Sequence, residues 1–210
     1  MAAVCVYCAS ARTTPQEYVD LATEVGTALA RRGHSLVSGG GDLSCMGAVA
    51  RAARAGGAHT LGVIPRALLE LEVGDRHADE LVVVDDMRER KGLMDARSDA
   101  FLTLPGGIGT LEELLEVWVA RSLGLHDKPV VVLDVDELYA PLRQQVAHMA
   151  DRGLVRPEAL RALQWATTVD QALDLVEAGV SDPVHLRPTA AEELEADVPS
   201  SEDRPARLTP

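Results

Sequence analysis

A chain of 210 residues with 33 acidic and 20 basic side chains carries a net charge of −13. That balance excludes a broad nucleic-acid-binding face, since phosphate backbones require clustered lysine and arginine. Apolar residues are 47% but aromatic residues only 3%, so the core rests on Ala, Val and Leu. No apolar run approaches the roughly 18 residues of a membrane span. The first residues carry neither a basic leader nor a cleavage signal, which predicts a cytoplasmic protein.

In chain order, short runs rich in Val and Leu alternate with longer helical patterns. An apolar strand over 4–8 precedes a helix over 15–32. A strand over 35–38 runs into Gly39-Gly40-Gly41 and a helix over 43–55. A strand over 60–64, a loop to 74 and a strand over 81–84 lead to a helix over 87–97. A strand over 100–104 meets a proline-glycine turn and a helix over 111–123. A strand over 130–133, helices over 136–152 and 157–163, a weak strand near 166–169 and a helix over 169–177 complete the pattern. This alternation predicts an α/β fold: a three-layer, Rossmann-like, doubly wound parallel sheet in one domain over 1–180. From 181 the periodicity stops. Prolines and the cluster Glu192-Glu193-Leu194-Glu195 predict a mobile acidic tail over 181–210.

Ligands of such sheets bind at the carboxyl ends of strands, so the loops after strands matter most, namely 9–14, 39–42, 65–74, 85–87 and 105–109. The segment Leu104-Pro-Gly-Gly-Ile-Gly-Thr-Leu-Glu-Glu113 is the most informative of them. It reads either as a tight connection or as a phosphate cradle, with bare backbone and the positive end of the next helix facing an anion. It is neither a Walker loop, since no Gly-Lys-Ser/Thr follows, nor a dinucleotide fingerprint. Glu113 has two readings of equal standing. Thr110-Leu-Glu-Glu113 matches a capping box with Thr110 as N-cap; alternatively Thr110 serves the phosphate and Glu113 faces the ligand.

Gly39-Gly40-Gly41 serves either close approach of a ligand or helix packing through Gly47. Met87-Arg-Glu-Arg90-Lys91 reads as a solvated charged face, or as a source of planar arginine contacts to phosphate or ribose. Cys5-Val-Tyr-Cys8 has redox spacing, but it lies on a strand rather than at a helix start, so Cys5, Cys8 and Cys45 read as reduced and buried. The 6 histidines are scattered and read as surface or loop residues. No metal-ligand spacing is present.

Taken together, Val6-Tyr-Cys-Ala-Ser10, Gly39-Gly-Gly41 with Met46-Gly47, Gly62-Val-Ile-Pro65, Arg90-Lys91, Ser98-Asp-Ala-Phe101 and Pro105-Gly-Gly-Ile-Gly-Thr-Leu-Glu-Glu113 resemble the LONELY GUY (LOG) family. Its members are cytokinin-activating nucleoside 5′-monophosphate phosphoribohydrolases, long mislabelled lysine decarboxylases. The resemblance runs from Val4 to about Val155 and more loosely to Ala178. It implies hydrolysis of the N-glycosidic bond of adenosine monophosphate, or an N6-substituted form, to free base and ribose 5-phosphate.

The same resemblance implies that Arg90 and Glu113 form the catalytic pair. Substrate would be held by Gly106, Gly107, Ile108, Gly109 and Thr110 around the phosphate, by Leu111 and Glu112 beside them, and by Glu72, Arg90, Lys91, Met94, Ser10, Gly40 and Gly41. Whether Glu113 acts as base, nucleophile or electrostatic stabiliser stays open. The implied partners are the nucleotide and a second copy, as a homodimer or an assembly of dimers, with Leu114, Val117, Trp118 and Leu125 on a buried or partner-facing surface. No metal or organic cofactor is implied. Differences from the family pattern fall at Ser44-Cys45, Arg88 and Val119 to Ser122, and bear on base selectivity.

Two rival readings accompany this one. A pyridoxal-dependent decarboxylase needs a Schiff-base lysine, and only Lys91 and Lys128 exist. A non-catalytic nucleotide or molybdenum-cofactor carrier would share the fold and the glycine loop, but it gives no reason for Arg90 and Glu113 together.

Overall fold

The computed structural model describes residues 1–69 and 74–186. Its first half comprises β1 (Ala3–Tyr7), α1 (Gln16–Arg31), β2 (Ser35–Ser38), α2 (Ser44–Ala55), β3 (Thr60–Pro65), α3 (Arg66–Leu69), β4 (Glu80–Val84) and α4 (Met87–Ala96). The second half comprises β5 (Ala100–Thr103), α5 (Ile108–Ser122), β6 (Val130–Leu133), α6 (Ala140–Asp151), α7 (Pro157–Arg161), β7 (Leu163–Ala166) and α8 (Val169–Ser181). Seven parallel strands form one sheet in the order β4-β3-β2-β1-β5-β6-β7, as the alternating pattern predicted. Residues 187–210, most of the expected acidic tail, lie outside the described residues.

Both faces of the sheet are covered, so its central strands are apolar throughout. Side chains of β1 alternate between the faces. Val4 and Val6 join Leu36, Leu102, α1, α2 and α8 in one core. Cys5 and Tyr7 join Phe101, Met94, Leu114, Trp118 and Val132 in the other. On the first face α1 and α2 pack through small residues, and a Cβ added to Gly26 would lie 2.3 Å from the Val49 carbonyl oxygen. That close approach shows how an alanine-rich composition with few aromatics fills its core. Among the described residues no helix is long and apolar enough to cross a membrane.

Strand order reverses at β1, which lies between β2 and β5. The chain after β1 and the chain after β5 therefore diverge at the carboxyl edge and leave a crevice between them.

Beyond shifts at the far ends of elements, such as α8 running to Ser181 rather than 177, the observed elements depart from expectation in four places. The last strand is Leu163–Ala166, paired with β6, not 166–169. Thr168 caps α8 by accepting a hydrogen bond from Gln171 N, so the expected strand is the turn into that helix. The sixth helix starts at Ala140 rather than Asp136, because Glu137 has φ 63°, which no helical residue adopts. The short α3 after β3 was not anticipated. The fourth departure, at the start of α5, reaches the site itself.

Candidate active site

The loop between β5 and α5 is tied to the end of β1. Leu104 N donates to Tyr7 O at 2.8 Å, and Ala9 N donates to Pro105 O at 3.3 Å. The helix then starts at Ile108, with extended Gly107 as an N-cap that offers no side chain. Early N–H groups of α5 therefore gain no side-chain cap, and the positive end of the helix is left for an anion.

This start overturns the capping-box reading of Glu113. Thr110 lies inside the first turn, 5% exposed, and its side chain packs under the loop. A Cβ on Gly106 would come 2.2 Å from Thr110 Oγ1, so Gly106 is bare to admit Thr110. A Cβ on Gly107 or Gly109 would meet nothing within 4 Å. Packing within the chain thus does not require those two glycines, whereas close approach of a ligand to their backbone would.

Tyr139 braces the loop from below. Its hydroxyl donates to Leu104 O at 2.9 Å and faces the Gly106 N–H, while burial pushes its pKa up. Tyr139→Phe leaves both backbone groups without this partner, at a cost of about 1–3 kcal/mol. The expected kinetic result is a raised KM for a phosphorylated substrate with kcat changed less, read by steady-state kinetics beside a melting curve.

Arg90 comes from α4, whose N-cap Asp86 accepts from Arg88 N at 2.8 Å and Glu89 N at 2.9 Å. Its neighbours Arg88 and Glu89 are exposed, as a solvated face would be. Arg90 turns inward and is 4% exposed. Nε donates to Val63 O and Nη2 to Gly39 O, each at 3.2 Å. Nη1 lies 3.9 Å from Glu113 Oε1. A carbonyl just past β2 and one within β3 thus hold a guanidinium opposite a carboxylate of α5.

Of the expected positions, Ser10, Arg90, Gly107, Gly109, Thr110, Glu112 and Glu113 line one cleft at the crevice. Gly106 lies beneath it, and Ile108 is 87% exposed beside it. Leu111 packs on the core. Lys91 sits at the rim between Glu112 and Glu116, 2.5 Å from each, and the two carboxylates raise its pKa. Met94 is buried in the core, 1% exposed. Gly40 and Gly41 do not line the cleft. Gly40, at φ +74°, accepts from Asp75 N at 2.8 Å, and Gly41 bridges Gly74. They hold the 74–79 loop against the sheet. Glu72 lies outside the described residues.

Cys8, Ala9, Ala11, Met46, Leu68 and Met87 also line the cleft, although none of them was named as a contact from the sequence. Ala9, Ala11, Leu68 and Met87 fall in the loops 9–14, 65–74 and 85–87 that the carboxyl-edge rule marks. Cys8 and Met46 lie in the family-like segments Val6-Tyr-Cys-Ala-Ser10 and Met46-Gly47.

All three cysteines are free and buried. Burial pushes Cys5 up to about 12 and holds Cys8 above the usual thiol range, so neither is the thiolate that redox chemistry needs. The histidines are not all at the surface. His34 is buried; its Nδ1 accepts from Ala2 N at 3.2 Å, and its Nε2 is 2.9 Å from Glu177 Oε1. That pair joins the amino end of β1 to α8.

Comparison with known proteins accords with this geometry. A family model described as possible lysine decarboxylase matches residues 46–176. A cytokinin riboside 5′-monophosphate phosphoribohydrolase of Mycobacterium marinum is 50% identical over 176 residues, 84% of this chain and 94% of that protein. The protein of the same name from Mycobacterium tuberculosis is 51% identical over 170 residues, 81% of this chain and 90% of its own. The LOG protein of Oryza sativa, with the same enzyme name, is 44% identical over 165 residues, 79% of this chain and 68% of that one. Among solved structures, the molybdenum cofactor carrier protein of Chlamydomonas reinhardtii superposes with TM-score 0.65 at 22% identity, covering 85% of this chain and 97% of the carrier. That likeness shows a shared fold alone.

Proposed function

Because the chain belongs to the LONELY GUY family of cytokinin riboside 5′-monophosphate phosphoribohydrolases, we propose that it hydrolyses the N-glycosidic bond of adenosine 5′-monophosphate or an N6-substituted form. The products are free base and ribose 5-phosphate. One observation carries this reading: the Arg90–Glu113 pair shares a cleft with the glycine start of α5.

In this reading the monoester sits at residues 107–110, where helix dipole and bare backbone favour an anion. Holding the phosphate fixes the sugar away from the reacting bond and supplies orientation. As the bond from C1′ to the base nitrogen stretches, positive charge grows on the ribose. The Glu113 carboxylate stabilises that charge across the cleft, while Arg90 holds its place through two carbonyls. Water delivers hydroxyl to C1′ and its remaining proton ends on the departing base, so the reaction balances without a redox partner. The apolar side of the cleft, with Met46, Leu68 and Met87, seats the base. Free cysteines and a nucleotide substrate suit a reducing, cytoplasmic setting.

The decarboxylase description does not fit these residues. Lys91 is held protonated by two carboxylates, the opposite of an amine ready to form a Schiff base. Lys128, just before β6, lies over the Phe101 ring with its ammonium 2.5 Å from Asp95 Oδ1. Neither lines the cleft.

Incubation with adenosine 5′-monophosphate followed by chromatography separates hydrolase from carrier. Adenine and ribose 5-phosphate should accumulate over many turnovers. Tight binding without release, across several N6-substituted monophosphates, would favour a carrier.

The same reading includes a homodimer. Leu114, Val117 and Trp118 are core residues, but Leu115, Val119, Leu123 and Leu125 are 42%, 53%, 44% and 74% exposed along and just beyond α5. Leu115, Val119 and Leu123 recur every four residues as one apolar stripe, with Leu115 and Val119 beside the apolar edge of α6 and α7. Contiguous apolar surface of this kind marks an interface. Val119→Arg should convert a dimer to a monomer in light scattering. A mass unchanged from wild type would place the interface elsewhere.

A further inference from the structure

The first glycine of Gly39-Gly40-Gly41 has a purpose that neither ligand approach nor helix packing supplies. Gly39 has no left-handed φ, so its backbone conformation is open to other residues. What excludes a side chain is the arginine. A Cβ on Gly39 would lie 1.7 Å from Arg90 Nη2, 2.8 Å from Arg90 Cζ and 3.2 Å from Met46 Sδ. The guanidinium occupies the space where a side chain would begin, and the Gly39 carbonyl accepts its Nη2 bond at 3.2 Å.

We propose that Gly39 is a positioning residue: its missing side chain forms the slot that seats the Arg90 guanidinium, and its carbonyl aims that group at Glu113. This rests on the catalytic reading of Arg90 given above. It also makes a claim about coupling that stands apart from catalysis.

The slot has a specific consequence. The obstructing atoms are the far end of a long, flexible side chain rather than backbone. An alanine at 39 therefore displaces the arginine and leaves the fold standing. Displacement strips Arg90 of the Gly39 and Val63 carbonyls together, because Nε and Nη2 belong to one rigid plane. The Nη1 corner, 3.9 Å from Glu113, moves with them. Gly40 is distinct: its φ of +74° makes any side chain there a backbone problem.

The experiment is a double-mutant cycle of Gly39→Ala and Arg90→Ala, read in three ways. Gly39→Ala should remain folded by circular dichroism and lower kcat by about 10²-fold, with KM for adenosine 5′-monophosphate changed much less. The slowly exchanging Nε–H signal of Arg90 in a nitrogen-15 spectrum, assigned by its loss in Arg90→Ala, should disappear in Gly39→Ala. The melting temperature lost on Gly39→Ala in the wild type should be largely absent in the Arg90→Ala background, where the slot is empty.

Equal losses of melting temperature in both backgrounds, an unmoved Nε–H signal or an unfolded Gly39→Ala protein would each overturn the proposal. The spectrum and the melting cycle report the slot whether or not adenosine 5′-monophosphate is the substrate. A failure of the proposed activity would silence the kinetic reading alone.

Discussion

Glu113→Gln is expected to lower kcat by about 10²–10⁴-fold while the melting temperature moves by no more than a few degrees. Glutamine keeps the shape of the side chain and removes its charge, so a loss isolates the carboxylate. Little stability is at stake, because Glu113 is not the cap of α5. The cap is Gly107, and Thr110 lies inside the helix. The ion pair spans 3.9 Å at the cleft, and Arg90 keeps both carbonyl bonds when Glu113 is neutralised. A variant with undiminished turnover and a lowered melting temperature would mean that the residue serves structure alone. Melting curves and initial rates on one preparation decide between these outcomes.

The second large effect is expected at Arg90. Arg90→Ala should reduce kcat/KM by about 10²–10³-fold and should also destabilise, since the Gly39 and Val63 carbonyls lose their donors at about 1–3 kcal/mol each. The informative variant is Arg90→Lys. An ammonium is a compact point charge and cannot place two donors on two carbonyls while a third corner faces a carboxylate. Charge retention alone should therefore restore little, and Arg90→Lys should stay within about tenfold of Arg90→Ala. Arg88→Ala, on the exposed side of the same helix, should behave as wild type in the same assay. If Arg90→Lys recovers full rate, the forked geometry is not what the reaction uses.

Much of this was legible in the residues, and the parts that were not have physical causes. The central strands announce themselves because a sheet covered on both faces admits only apolar runs, as in β1, β5 and β6. The strand Leu163–Ala166 escapes that rule, since it lies at the sheet edge with Gln164 and Trp165 only half-buried. The helix expected from Asp136 begins late because Glu137 adopts a left-handed φ, a conformation that glutamate does not advertise.

At the site, the glycine turn and its neighbours could be placed by the rule that ligands gather at strand carboxyl ends. The start of α5 could not. Thr110-x-x-Glu113 satisfies the capping-box pattern, yet the helix runs back to Ile108, because glycines accept the first turn without a side-chain cap. Nor could periodicity tell which charge in Met87 to Lys91 faces inward. Arg90 is buried by the carbonyls of Gly39 and Val63, a choice made by tertiary structure. The glycine run was visible, but its division of labour was not: Gly39 stands against Arg90, while Gly40 and Gly41 hold the 74–79 loop.

The central claim is that one cleft holds a phosphate at the start of α5 and thereby sets the anomeric carbon before Glu113. The most direct test is a crystal structure of the Glu113→Gln protein with adenosine 5′-monophosphate, which that variant should bind and scarcely turn over. Monoester oxygens against the backbone N–H groups of 107–110, with C1′ facing residue 113, is the predicted arrangement. A monoester seated away from residues 105–113 in that crystal would contradict the account.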